Sequence, residues 1–384
     1  LLIGDTYLLI GDRGHLLLIG GAHVVRLGSL PAPAAGGFGP LLQKTTGAIS
    51  YAIPTYIAID NARRRFALSR VNPHGNASMT RPRSKLIDRD IGGFYHIVSR
   101  CVRRTRLTGK DPTTGKDFSH RRCWIEARLL ALTNVFAVDV LGYAVMSNHY
   151  HIVIHYRPRA GKQLPDIDVA RRWLTVFPPK PGDDLDESID TLAENTERIA
   201  VLRERLSDLS WYMRCLNAPI ARRSNIEDEC TGRFWEGRFH SKALPDETAV
   251  HACMAYVDLN PLRAGDTDRI DAATHTSLAR RQEEASAKPE LLNKAMAPIT
   301  FDLDNGHIKS RGQTVLALSL KEYLAHVQWV AARTGQSHIP KEAEQRLPPA
   351  GPNEPNAWLS YFSKLRRRTQ SHASLPRGML AFTS

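Results

Sequence analysis

Residues 140–146 and 150–156 are two β-favouring runs with only Ser147, Asn148 and His149 between them. Three residues suffice for a hairpin and are far too few for the crossover that parallel strands require. The two runs are therefore expected as neighbouring antiparallel strands, and any fold for this chain has to accommodate that hairpin. Its second strand opens with His149-Tyr150-His151. Side chains at i and i+2 of a strand share a face, so both imidazoles project together while Tyr150 points away. Two imidazoles on one side can hold one metal ion, and alone they suit zinc or other late transition ions. With 15 His in 384 residues, about 0.6 such pairs arise by chance, so the spacing by itself is a weak signal. His155 shares the face but lies roughly 13 Å from His151 at about 3.3 Å per residue, outside the same coordination shell.

A second pattern lies more than a hundred residues later. Residues 246–258 read as a helix ended by Asn260-Pro261, because proline disfavours helical geometry in the residue before it. Ala249, Val250, Cys253, Met254 and Val257 form its apolar arc, with Tyr256 at the rim, where it can approach a neighbouring sheet. Asn260, four residues on, lies on the same side. Taken alone, Tyr256 reads as a helix anchor with a hydrogen-bonded hydroxyl. Asn260 reads equally well as a cap or turn residue before Pro261.

Charge supplies the next constraint. Lys and Arg number 52 against 39 Asp and Glu, a net charge of +13, which points to a polyanionic partner. The positive charge concentrates at Arg214, Arg222, Arg223, Arg233, Arg238 and Lys242, interleaved with Trp211, Phe234, Trp235 and Phe239. Cations neutralise phosphates and aromatic faces stack on unpaired bases, the combination expected for single-stranded or hairpin DNA. The competing reading makes the aromatics core and the arginines a solvated face. Trp235 and Phe239 are assigned to the core, Arg233 and Arg238 to DNA. A strand over residues 94–102 ends in a second basic cluster, Arg100, Arg103 and Arg104, with Arg106 beyond it.

Elsewhere the periodicity predicts helices over 120–138, 171–177, 189–216 as one long helix, and 321–332. The acidic stretch 183–187 is expected as a solvated loop. Five cysteines without a C-x-x-C pair indicate neither a disulfide framework nor a zinc ribbon. A reducing interior fits best, and the chain is expected to be cytoplasmic and nucleoid-associated. No run approaches the roughly 18 apolar residues needed to span a bilayer, so no membrane partner is expected. The apolar start is broken by Asp5 and Asp12 and lacks a basic leader, unlike a signal peptide. It repeats LLIGD at 1–5 and 8–12, and the first Met is Met79. Residues 1–78 are accordingly expected to be translated upstream DNA or a poorly folded extension, 79–280 the main domain, and 281–384 an accessory region with a basic tail, KLRRR at 364–368.

Five blocks in order, GGFYHIVSRCVRR (92–104), YAVMSNHYHIVIH (143–155), SWYMRCLNAPIARR (210–223), CTGRFWEGRFHSKAL (230–244) and AYVDLNPLRAG (255–265), carry a resemblance to the HUH single-tyrosine transposases. They most resemble the REP-associated tyrosine transposases and their longer transposase-like relatives, over roughly half of the chain. The resemblance implies an α+β domain of ferredoxin-like type, the HUH nuclease fold: an antiparallel sheet with flanking helices, here with a helical basic extension. It implies His149 and His151 as metal ligands for Mg²⁺ or Mn²⁺, Asn260 as the position that often completes the shell, and Tyr256 as the nucleophile. The implied reaction is cleavage and rejoining of hairpin-forming single-stranded DNA through a 5′-phosphotyrosine. Relatives act as monomers or as homodimers that exchange catalytic helices. The rival from another class is a non-catalytic hairpin-binding protein or repressor derived from such a transposase.

Overall fold

In the computed structural model, residues 86–102, 107–111, 115–302, 307–310, 314–333, 358 and 360 are described, together with the backbone of four N-terminal strands. Those strands, β1 (Leu2–Ile3), β2 (Thr6–Ile10), β3 (Leu16–Gly20) and β4 (His23–Leu27), form an antiparallel sheet of their own in the order β1-β2-β3-β4. Otherwise the expected extension over 1–78 lies outside the described residues, as do the tail at 364–368 and Arg103, Arg104 and Arg106.

The main sheet has six strands: β5 (Gly93–Arg100), β6 (Val138–Val145), β7 (His149–Tyr156), β8 (His240–Leu244), β9 (Ile299–Asp302) and β10 (His307–Ser310). Their order is β10-β9-β6-β7-β5-β8, and every pairing is antiparallel. The β6–β7 turn is closed by Met146 N–H donating to His149 O at 2.8 Å.

Alternation along these strands builds two cores. Tyr95 and Ile97 of β5, Val140, Tyr143 and Val145 of β6, and Tyr150, Ile152, Ile154 and Tyr156 of β7 face one way. They pack with residues of α1 (His120–Ala131), α3 (Asp166–Val176), α5 (Thr196–Leu206) and α6 (Leu209–Glu227). The short α2 (Pro158–Lys162) leads into this layer. Phe94, Leu141, Ala144, Met146 and Val153 face the other way, into a core shared with α7 (Glu247–Asp258), α9 (Ser277–Ala287) and α10 (Leu320–Arg333). A bulge between Val140 and Gly142 lets both Leu141 and Ala144 reach this second core.

The long helix expected over 189–216 is instead three helices, α4 (Leu185–Glu194), α5 and α6. Each break is an N-cap: Asn195 Oδ1 accepts from Arg198 N–H at 2.9 Å, and Asp208 Oδ1 from Ser210 N–H at 2.5 Å. The acidic stretch is not merely a loop, since Asp184 caps α4 by accepting from Glu187 N–H at 2.9 Å. The helix expected over 120–138 ends at Ala131, followed by a 3₁₀ turn at Leu132–Asn134 and then β6. Asn260-Pro261 does not stop helical structure, because α8 (Asn260–Ala264) begins there with proline in its first turn. It ends at Gly265, whose φ of +75° is left-handed.

Candidate active site

The site is built where α7 crosses the sheet. Tyr256 is held on α7 by contacts at both ends of that helix. At its start Asp246 caps by accepting from Ala249 N–H at 2.7 Å. At its end the buried Asp258 carboxylate accepts from Ser277 Oγ (2.6 Å), Leu278 N (3.0 Å) and Tyr323 Oη (2.6 Å). Ser277 Oγ also accepts from Tyr143 N–H on β6 at 3.1 Å, which ties helix to sheet. Helix and strand approach closely because position 142 is glycine: a Cβ there would lie 3.3 Å from Met254 Cγ and 3.4 Å from Ser277 Oγ.

Within this frame the His149 and His151 rings share the α7 face, 4.8 Å apart between centroids, and the Tyr256 ring is 5.9 Å from that of His151. Tyr150 points to the opposite core, where its hydroxyl donates to Asn217 Oδ1 at 2.5 Å and its ring meets Trp235 edge-on. His155 is engaged elsewhere, stacked on Phe94 at 4.3 Å with Nδ1 2.6 Å from Thr314 Oγ1.

Two residues absent from the sequence-derived site belong to this cluster. His96 of β5 lies opposite Lys242 of β8, and its ring is 5.1 Å from His151 and 6.0 Å from Tyr256. His96 Nε2 and His151 Nδ1 are 2.9 Å apart, so one nitrogen carries a shared proton. Arg263 of α8 sets its guanidinium over the Tyr256 ring, 4.7 Å from the centroid. The signal for His96 was present in β5 alternation, which places 96, 98 and 100 on the face opposite Tyr95 and Ile97. Arg263 carried no comparable signal, because its position depends on α8.

Electrostatics keep the three imidazoles neutral. Burial, then Lys242 and His149, lower His96 to about 3. Burial and the nearby Arg100 lower His149 to about 4. Burial and the neighbouring His96, His149, Arg100 and Arg263 hold His151 well below the usual histidine range. Neutral imidazoles have a lone pair for a metal. His149 Nδ1 lies 2.5 Å from Asn148 Oδ1, a bond that places the ring proton on Nδ1 and leaves Nε2 as the donor atom.

Asn260 is buried, and its Nδ2 has no hydrogen-bond partner among the described residues. Two neutral imidazoles could each offer a nitrogen lone pair to a divalent cation, whereas the orphaned Asn260 Nδ2 is a hydrogen-bond donor, so that residue could contribute only through Oδ1. Among the described residues no three His, Cys, Asp or Glu side chains are grouped to hold a metal.

The sequence-derived cations divide into several environments. Arg100 pairs with His149 across β5 and β7 and is partly exposed, as is Lys242. The loop carrying Arg233 and Arg238 runs beside the end of β5, with Val102 N–H donating to Phe234 O and Glu236 N–H to Arg100 O. Arg233, Arg238, Arg214 and Arg222 are exposed. Arg214 lies 4.8 Å over the Trp211 ring, and Arg223 packs 3.5 Å over Trp124. Phe234, Trp235 and Phe239 are core residues.

No family model matches this chain, and no curated protein matches it. Among solved structures it is similar to a REP-associated tyrosine transposase bound to a REP hairpin, with 13% sequence identity and a TM-score of 0.31. The match covers 51% of this chain and 82% of that one. No helix among the described residues is long and apolar enough to cross a membrane.

Proposed function

We propose that this chain is a divalent-metal-dependent transesterase that cleaves and rejoins hairpin-forming single-stranded DNA, with Tyr256 as nucleophile and a 5′-phosphotyrosine as intermediate. The observation that carries this reading is the convergence of the Tyr256 ring with the His149 and His151 imidazoles on one sheet face. Strand order supports the ferredoxin-like assignment. The run β8-β5-β7-β6, with α1 joining β5 to β6 and α3 to α6 lying between β7 and β8, packs those connections into the same core.

His149 and His151, with Asn260 as third donor, would hold Mg²⁺ or Mn²⁺. A bound ion would polarise the scissile phosphate. The Tyr256 hydroxyl attacks phosphorus, the new P–O bond replaces the bond to the 3′ oxygen, and a free 3′-hydroxyl leaves. The reverse step consumes the phosphotyrosine. One phosphodiester is exchanged for another ester, so no nucleotide hydrolysis is needed. Arg100 and Lys242 flank the imidazoles and supply positive charge for the phosphates, while exposed Arg214, Arg222, Arg233 and Arg238 extend it outward. Because Tyr256 meets the histidine pair of its own chain, the reading favours a site complete in a monomer.

One observation favours the alternative, a non-catalytic hairpin-binding protein. Tyr256 is only 4% exposed and lies under Arg263, so a phosphate reaches it only after that arginine swings aside. A labelled DNA hairpin incubated with the protein and Mn²⁺ separates the two. A covalent adduct lost in Tyr256→Phe supports the transesterase. Binding without adduct under every condition supports the binder.

A further inference from the structure

A second reactive cluster lies away from the Tyr256 site. Cys123 sits in the first turn of α1, partly exposed, with Sγ 4.0 Å from His275 Nε2. The other nitrogen of that ring, Nδ1, is 2.7 Å from Glu126 Oε2. Glu126 is buried, and its carboxylate also accepts from Tyr143 Oη (2.6 Å) and from Arg280 Nε and Nη2 (2.8 and 2.7 Å). Four donors fix this carboxylate as an ionised group, with a pKa of about 2 despite burial. His275 is itself held in a left-handed backbone conformation, φ +55°, a cost that persists only where surroundings impose it. The imposing contacts are visible: Val145 N–H donates to His275 O at 3.1 Å, and Thr276 bridges Ala144.

We propose that Cys123, His275 and Glu126 form an activated-thiol site and that Cys123 is a covalent modification site for small soft electrophiles. Glu126 holds the Nδ1 proton, which leaves Nε2 to take the proton of the Cys123 thiol and produce a thiolate–imidazolium pair. The thiolate then attacks carbon or sulfur. With an alkyl iodide an S–C bond forms as the C–I bond breaks and iodide leaves. With a disulfide a new S–S bond forms as the old one breaks, and the departing thiolate takes the His275 proton. Against burial, which lowers it, hydrogen bonds to Cys123 and Glu126 raise His275 to about 9, so at neutral pH the ring is held as the imidazolium half of the pair beside Cys123. Among the described residues, the charged and titratable groups facing the ring are Glu126 and Cys123 from α1, Arg280 from α9 and, through Glu126, Tyr143 from β6.

The other cysteines provide internal references. Cys101, Cys215 and Cys253 are buried, and burial pushes Cys215 up to about 11. Cys230 is partly exposed, with its thiol 3.5 Å from Asn225 Oδ1.

Full-length folded protein is treated with iodoacetamide from pH 5.5 to 9, and peptide mass spectrometry follows alkylation of Cys123 and Cys230. The expected result at pH 6.5 is Cys123 reacting at least tenfold faster than Cys230, with a rate nearly flat up to pH 8.5. Glu126→Gln and His275→Asn, the latter tolerant of left-handed backbone, each slow Cys123 at least fivefold at pH 6.5. A Cys123 rate equal to or below that of Cys230, rising about tenfold per pH unit like an ordinary thiol, overturns the assignment. That wild-type comparison decides the matter even where a variant fails to fold.

Discussion

Asp258 is the residue whose removal most directly tests how Tyr256 is positioned. Its carboxylate is 2% exposed and takes three donors, Ser277 Oγ, Tyr323 Oη and Leu278 N–H. Asp258→Ala leaves all three inside the core. A buried donor without a partner costs ~1–3 kcal/mol. Part of that total is offset, because burial disfavours the carboxylate itself and raises its pKa. Arg281, buried nearby, would also lose the charge that compensates it. The net expectation is a loss of about 3–5 kcal/mol, a large fraction of the ~5–15 kcal/mol that stabilises a typical domain. Asp258→Asn keeps an acceptor for Ser277 and Leu278 and offers an N–H to Tyr323 Oη, so it should cost only about 1–2 kcal/mol. Urea unfolding of both variants, followed by tryptophan fluorescence, measures the difference. An alanine variant within 1 kcal/mol of wild type, or no more destabilised than the asparagine variant, refutes the view that this carboxylate fastens α7 to α9, α10 and the sheet.

Metal-free protein should lose stability as pH falls below about 6.5. His96 and His149 have folded pKa values of about 3 and about 4, so the unfolded chain binds more protons in this window, with a slope that approaches ~1.4 kcal/mol per pH unit for each histidine below pH 6; the unfolding free energy measured at pH 6.5 and 5 should differ by about 3 kcal/mol from this pair. Gly142→Val should overpack the contact with Met254 and Ser277 and destabilise by about 1–3 kcal/mol, read as a lower thermal midpoint. Arg121 is fully buried beside Glu227, which His120 also contacts, and Asp228, and Arg121→Met should cost about 1.5–3 kcal/mol, chiefly through the charge-assisted bonds that the mostly buried Asp228 loses, most visibly as a lower urea midpoint.

The hairpin and the facing of His149, His151 and Tyr150 were legible in the sequence because strand alternation is a strict local rule. Tyr256 was legible only in part. The 100° period placed it at the rim of an apolar arc, whereas it is buried together with every neighbour from Ala249 to Asp258. Periodicity cannot show that a helix is covered on both sides. The run 189–216 misled for a related reason: its apolar spacing continues across Asn195 and Asp208, and the two caps that break it are single polar residues. Alternation put His96 on the correct face of β5, but its place beside His151 comes from pairing between β5 and β7, strands separated by about fifty residues, a relation that no local window shows.

The second cover over α7 has a consequence for assembly. Tyr323, Val327 and Trp358 close over the helix side turned from the sheet, with Trp358 tilted against His251 at 5.8 Å. Swapping this helix into a neighbouring copy would first require peeling that lid off and wetting the aromatic groups beneath it.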